Sequence, residues 1–332
     1  MTLSGAVMTN FKFFTNRWLM GLLTFIVVGL VVTFILRLLT PAQPVVPKTE
    51  FITENQVGGS SQFANLRFTG SFTTTITELP LVVIQPSQTT LDYVRNQLIK
   101  EYQLNQVVGL AGLWRGETHT LSYNDGADEY LFYSLFTPKD TLLADTNRAI
   151  EVAETFVSKT FPNVQLVSQR NAVQYFSGLL ELEETTRDKA VALAVPFTYT
   201  VQNVPIFLGH TSSPPLTVMI NSLYEVQKVT FQPNFIDFVP TEQKARLIDL
   251  GTVLDNINSR NEASIISAYS HTGQFFTLEE ITSGTLTDVQ LEYRADFTTG
   301  LAYPFYHFSG ELNTANGYAI QAEIIAPAVE TK

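Results

Sequence analysis

The stretch "VQLEYRADFTTGLAYPFYHFSGELNTANGYAIQAEII", Val289 to Ile325, decides the fold. In its first nine residues Val289, Leu291, Tyr293, Ala295 and Phe297 alternate with Gln290, Glu292, Arg294 and Asp296. That period of two reads as a half-buried strand with one apolar and one polar face. Tyr318, Ile320, Ala322 and Ile324 alternate in the same way with Ala319, Gln321 and Glu323, and Asn313 to Gly317 supplies the turn before them. The aromatics between, Phe305 and Phe308 especially, then read as sheet-face residues, because aromatics are favoured on strands. The competing reading makes Tyr303, Tyr306 and His307 an aromatic surface for a ligand.

Upstream, the same alternation of helix and antiparallel sheet recurs. "FANLRFTGSF" (Phe63 to Phe72) and "LPLVVI" (Leu79 to Ile84) read as strands. Leu91, Val94, Leu98, Ile99 and Tyr102 then recur at helical spacing, with Thr89 and Asp92 as a capping box. "THTLSY" and "EYLFYSL" flank Asn124-Asp125-Gly126 as a hairpin. A second helix from about Asp145 shows Ala149, Val152, Ala153, Phe156 and Val157 on one face and stops at Pro162. Strands follow at Val191 to Val201, Leu216 to Ile220 and Tyr224 to Phe231. After Pro240, Leu247, Leu250, Leu254 and Ile257 mark a third helix ahead of the opening stretch. The predicted class is α+β, with diverged helix-plus-antiparallel-sheet modules at 63–144, 145–240 and 241–332.

The 332 residues, 45% apolar and 15% charged, are enough for one or two sizeable cores. No cysteine is present, which excludes disulfides, thiolate metal sites, cysteine nucleophiles and lipoprotein acylation. Residues 1–40 carry Lys12, Arg17 and Arg37 with no acid, so the remainder holds −14 against a total of −11. So acidic a body repels phosphate backbones, and no nucleic acid is expected as partner.

"WLMGLLTFIVVGLVVTFIL", Trp18 to Leu36, runs 19 residues without a charge. As a helix it would span about 28 Å, close to the roughly 30 Å hydrocarbon core of a bilayer. Arg17 and Arg37 bracket it and Trp18 suits the interface. The expected plan is a cytoplasmic N-terminus (1–17), a transmembrane signal anchor (18–39) and a Pro/Gly/Ser-rich tether (40–62). A cleaved signal peptide ending at "TPA", Thr40 to Ala42, is the other reading. Lys12, Arg17 and the amino terminus outweigh Arg37 and Lys48, which places the bulk of the chain outside the plasma membrane. Gly29 and Thr33 form a small-xxx-small pair able to seat a partner helix.

Signatures of chemistry are sparse. His119, His210, His271 and His307 form no H-x-H, H-x-x-H or H-E-x-x-H set, and His307 between Tyr306 and Phe308 reads as a hydrogen-bonded sheet residue. There is no G-x-S-x-G elbow and no S-x-x-K; "GHTSS", Gly209 to Ser213, runs into Pro214-Pro215 and reads as a loop. "ELEE", Glu181 to Glu184, and the "LEE" ending at Glu280 read as solvated acids. "NDGADE", Asn124 to Glu129, lacks calcium-loop spacing, and no phosphate-binding glycine motif exists. No catalytic residue, metal or cofactor is expected.

The region "ITSGTLTDVQLEYRADFTTGLAYPFYHFSGELNTANGYAIQAEIIAPAV", with the preceding "ARLIDLGTVLDNINS", resembles the extracytoplasmic modules of the YycH/YycI group and, more loosely, PepSY-like domains. The resemblance covers about residues 240–328, with a fainter echo over 145–232. It implies a single-pass protein whose outer α+β domain modulates a membrane sensor kinase and does not catalyse. It brings no catalytic residues and no recognisable kinase-contact motif. The expectation is a membrane-anchored, extracytoplasmic binding or regulatory protein acting on another envelope protein. A cell-envelope enzyme acting on glycans and a structural envelope component are the alternatives.

Overall fold

A computed structural model describes residues 63, 65–136, 141–178, 183–209, 213–260, 262–270, 273 and 275–330. Over these the fold is mixed α+β, dominated by sheet, with three α-helices. The span Trp18 to Leu36, with Gly29 and Thr33, and the tether 40–62 lie outside the described residues. Among the described residues no helix is long and apolar enough to cross a membrane.

Strands β1 (Asn65–Phe68) and β2 (Glu78–Pro86) lead into helix α1 (Leu91–Glu101). The meander β3 (Asn105–Gln106), β4 (Leu113–Arg115), β5 (His119–Asn124) and β6 (Glu129–Ser134) precedes helix α2 (Thr146–Thr160). Then come β7 (Leu166–Ser168), β8 (Gln174–Phe176), β9 (Ala192–Val201), β10 (Val204–Leu208), β11 (Leu216–Asn221), β12 (Val226–Phe231) and β13 (Ile236–Arg246). Helix α3 (Leu250–Arg260) is followed by β14 (Ser264–Tyr269), β15 (Ile281–Asp296), β16 (Leu301–Thr314) and β17 (Ala319–Pro327).

Local sequence explains the helix ends. Thr90, in extended backbone, caps α1 by accepting the Tyr93 N–H. This moves the expected cap from Thr89, whose hydroxyl instead donates to the Pro162 carbonyl. Asp145 caps α2 by accepting from the Asn147 and Arg148 N–H groups. The helix closes at Phe161 because Pro162 lacks the N–H to continue it. The two-residue loop Gln202-Asn203, with φ of 53° and 64°, makes the turn between β9 and β10 that matches strand twist.

Antiparallel pairing runs β3–β4–β5–β6–β12–β11–β9, and β9 also takes β7, β8 and its hairpin partner β10. Helices α1 and α2 cover a core here that includes Leu98, Phe132, Phe156, Val195, Val218 and Val229. β10 then pairs in parallel with the end of β15, and β1 pairs in parallel with its start. From β15 the sheet continues β16–β17–β14, while β2 joins the start of β16 and carries β13. Helix α3 supplies Val253 and Ile257 to a second core with Tyr306, Phe308, Ile320 and Ile324. Asn258 of α3 clamps β1 by accepting from the Leu66 N–H at 2.8 Å and donating to its carbonyl at 3.0 Å. Gly310 is required where β15 and β16 crowd, since a Cβ there would lie 2.3 Å from the Thr285 carbonyl oxygen.

The opening strand differs from its sequence reading in one respect. β15 is half-buried only in its first part, where Asp288 and Gln290 are exposed. From Leu291 onward its polar face is covered too: Glu292 and Arg294 are 0% exposed and Asp296 5%. Leu81, Ala245, Tyr303, Phe305, Ile325 and Val329 form an apolar cluster on that second side. Phe297, expected on the buried face, is 59% exposed, because the chain turns at Asp296, whose carboxylate accepts from the Thr298 N–H.

Candidate functional site

Two features of this frame hold the polar chemistry and the open space. The first is a closed ion cluster on the covered face of β15. Register places Gln290 opposite His307 and Arg294 opposite Tyr303, so the side chains of Gln290, Glu292, Arg294 and His307 share one face. Glu292 Oε1 accepts from Arg294 Nε at 2.6 Å and pairs with Nη2 at 2.5 Å. Arg294 also donates Nη1 to the Gly209 carbonyl at 3.3 Å, and its guanidinium lies 4.9 Å from the Phe207 ring centroid. The other Glu292 oxygen meets His307 Nδ1 at 3.0 Å, and His307 Nε2 faces Glu323 at 3.5 Å. Gln290 closes the rim with its amide 3.2 Å from Nδ1.

Burial alone would lower the His307 pKa. The hydrogen bonds to Glu292 and Glu323, with the Glu292 charge, outweigh burial and raise it to about 9 against the opposing Arg294 charge. The ring is therefore cationic at neutral pH, and two carboxylates balance two cations. This is what a buried charge requires: a partner in hydrogen-bonding geometry. The cluster meets solvent only at its edge, where the Glu323 side chain is 39% exposed.

The second feature is an open cleft of about 720 Å³. Five chain segments build it: the end of β2 (Ile84, Gln85, Pro86), the β5–β6 hairpin tip (Ala127, Asp128), the end of β10 (Leu208), the loop into β13 (Gln232 to Ile236) and the β15–β16 turn (Phe297, Gly300). The hairpin tip is anchored by Tyr123, whose hydroxyl donates to Asp128 at 2.7 Å. The turn is anchored by Asp296 and by Gly300, which adopts φ 70° and donates its N–H to the Asp296 carbonyl. Gly300 in turn accepts from the Ile84 N–H at 2.9 Å, which ties the turn to β2. A volume of this size, with apolar walls and a few fixed polar groups, is the usual form of a binding pocket. Connecting segments held by a rigid sheet are where such sites form.

The residues singled out from sequence separate cleanly between these places. Tyr303, Tyr306 and His307 are 2%, 3% and 9% exposed, so they present no aromatic surface. Tyr303 packs in the covered-face cluster, Tyr306 packs beneath α3 and donates to the Ile248 carbonyl, and His307 joins the ion cluster. Phe305 and Phe308 are core residues at 0%. His119 stacks on Phe132 at 5.0 Å, and burial lowers its pKa while the Glu225 charge opposes. His210, His271 and Glu181 lie outside the described residues, and Glu183 and Glu184 are exposed. Among the described residues no group of three or more His, Asp or Glu is placed to hold a metal ion.

No family model matches the chain, and no curated protein matches it. The chain is similar to the crystal structure of YycH from Bacillus subtilis, with 10% identity and a TM-score of 0.35. The match covers 76% of this chain and 53% of that one, so the chain spans about half the length of the structure it matches. At that TM-score neither a site nor a partner transfers from one to the other.

The cleft residues were not visible in sequence as a set. The one local signal was "DFTTG", Asp296 to Gly300, whose Asp, Thr-Thr and Gly mark a turn that must expose Phe297.

Proposed function

We propose that this chain is a membrane-anchored, extracytoplasmic binding protein that acts on another envelope protein through the cleft at the end of β15. The cleft itself carries the reading: it is open, walled by Ile84, Pro86, Leu208, Phe235 and Phe297, and its described lining contains one carboxylate, Asp128. Cleavage of a glycan needs two carboxyls facing across the substrate. The shifted histidine, His307, is tied up by Glu292 and Glu323 away from that opening. The uncharged run Trp18 to Leu36 supports the anchor, and the excess of Lys12 and Arg17 before it supports an outward-facing domain. The sequence resemblance over about residues 240–328 points to a membrane sensor kinase as the kind of partner.

Protease added to intact spheroplasts should digest the domain; full protection of it would overturn the orientation. Cross-linking in native membranes should join the full chain to a discrete envelope protein, and Phe297→Ser should abolish that adduct without lowering the melting temperature. Hydrolysis of an envelope substrate, lost on substituting one acid in a chain that still folds, would overturn the binding reading.

A further inference from the structure

We infer that β15 takes an extended peptide segment of a partner protein at a gap in its edge, between the end of β1 and the start of β10. One residue of that segment, lying opposite Gln290, donates its N–H to the Val289 carbonyl and accepts the Leu291 N–H. This contact is separate from the cleft and does not rest on it.

The gap follows from the way the backbone groups of β15 point. Along a strand, the N–H and C=O of successive residues face alternate edges. The Ala295 carbonyl accepts the Gly209 N–H, so Ala295, and by alternation Tyr293, Leu291 and Val289, face away from β16. Pro304 agrees: it lies directly opposite Tyr293, and its own carbonyl turns the other way to accept from Ala328. At one end β1 closes this edge as far as Leu286, whose carbonyl accepts the Thr69 N–H at 2.9 Å. At the other end β10 closes it as far as Tyr293. The next bond of that parallel ladder would run from residue 205 to the Leu291 carbonyl, and Pro205 has no N–H to give.

Between these ends, Asp288 to Glu292 span roughly 16 Å of strand. The chain leaving β1 does not fill the gap. Gly70 passes so close to the Thr287 carbonyl oxygen that a Cβ would lie 2.1 Å from it. Phe72 then packs edge-on against Tyr306 at 5.7 Å, on the α3 side of the sheet. The Val289 N–H is held by the adjacent Asp288 carboxylate at 2.9 Å, a side chain standing where a strand would bond. The Val289 carbonyl and both backbone groups of Leu291 have no partner among the described residues.

Unpaired main-chain groups along a strand edge are a template for another strand. The Val289 carbonyl and the Leu291 N–H are the pair that a single residue of a parallel strand bridges. Parallel is also the direction of both β1 and β10 on this edge. Side chains of the segment would alternate between the two faces. Those flanking the bridging residue meet partly exposed Leu291 and Phe72 on the α3 side, so they are apolar. The bridging residue's own side chain lies beside exposed Asp288 and Gln290, so it is polar.

The test uses the full chain in detergent micelles and the fluorescent pentapeptide Thr-Val-Thr-Val-Thr, read by anisotropy and by hydrogen exchange resolved to single amides. Without peptide, the Leu291 amide should exchange faster than those of Gln290 and Glu292, which face β16; peptide should slow it about tenfold. Methylating the amide nitrogen of the central threonine removes the bridging donor and should weaken binding about tenfold, the scale of one hydrogen bond. Methylating the first valine, whose N–H faces away from β15, should leave binding unchanged. Asp288→Ala frees the Val289 N–H for the segment and should tighten binding about threefold. Equal binding of the parent and both methylated peptides would show adhesion through side chains and overturn the inference. So would a Leu291 amide already slow to exchange in the free chain, protection confined to another strand, or no binding at all. Binding lost in Phe297→Ser would put the peptide in the cleft, which overturns this inference and supports the cleft reading.

Discussion

The ion cluster and the cleft sit at neighbouring stretches of one strand, and they divide the attributes expected of a functional site. The cluster has the titratable groups, a histidine whose pKa is pushed up to about 9 and a fully buried Glu292–Arg294 pair. The cleft has the volume, the exposed aromatic and the convergence of five segments. Perturbed ionisation often marks catalysis, but structural ion networks perturb pKa values just as well. Access decides between them. Glu292 and Arg294 are fully enclosed with their charges matched, so their geometry stabilises or specifies the sheet. The cleft offers contact, and its described lining holds one ionisable side chain, Asp128, which supports the recognition role proposed for it.

That division predicts opposite responses to substitution. The largest effect belongs to Glu292→Ala, which leaves Arg294 and His307 buried without their shared partner and should cost about 3–5 kcal/mol in urea unfolding. A loss within about 0.5 kcal/mol, the range of surface changes, would show that the cluster is not the closed structural element described here.

Next comes pH. The His307 pKa rises to about 9 in the folded chain, above the roughly 6.5 of an unperturbed histidine. Its contribution is therefore fully present below about pH 6.5 and is lost as pH rises through about 9, with a magnitude on the order of 3 kcal/mol. Unfolding measured from pH 6 to 10 should show that decline, and His307→Gln should flatten it. A smaller loss, about 1 kcal/mol, is expected for Asp145→Ala, which removes the cap of α2. Thermal melts would register it with no change in the membrane cross-link. The smallest stability effect should come from Phe297→Ser at the mouth of the cleft, within about 0.5 kcal/mol, together with the greatest loss of binding.

Much of the fold could be read from local pattern. The three helices, the β5–β6 hairpin and the β16–β17 hairpin all follow from periodicity and turn residues, although the cap of α1 moved from Thr89 to Thr90. Alternation also identified β15, but it could not reveal that the polar side of the strand is covered. The covering residues, Leu81, Ile325 and Val329, come from other strands and the chain end, and no local period encodes them. His307 reads correctly as a hydrogen-bonded sheet residue, yet its partner Glu292 becomes evident only once β15 and β16 are in register. The cleft was the least legible feature. Ile84, Asp128, Phe235 and Phe297 are far apart in the chain and meet only because the ends of β2 and β15 and the starts of β6 and β13 come to the same place.

The most direct test places a photo-cross-linking amino acid at position 297 and, as a comparison, at Val108, which is 98% exposed on a loop that does not line the cleft. Both full-length variants are irradiated in native membranes, and the cross-linked peptides are mapped. The cleft account predicts a single defined adduct from position 297, joined to one envelope protein, and no such adduct from position 108. Equal labelling from both positions, or a specific adduct from 108 and none from 297, would contradict it.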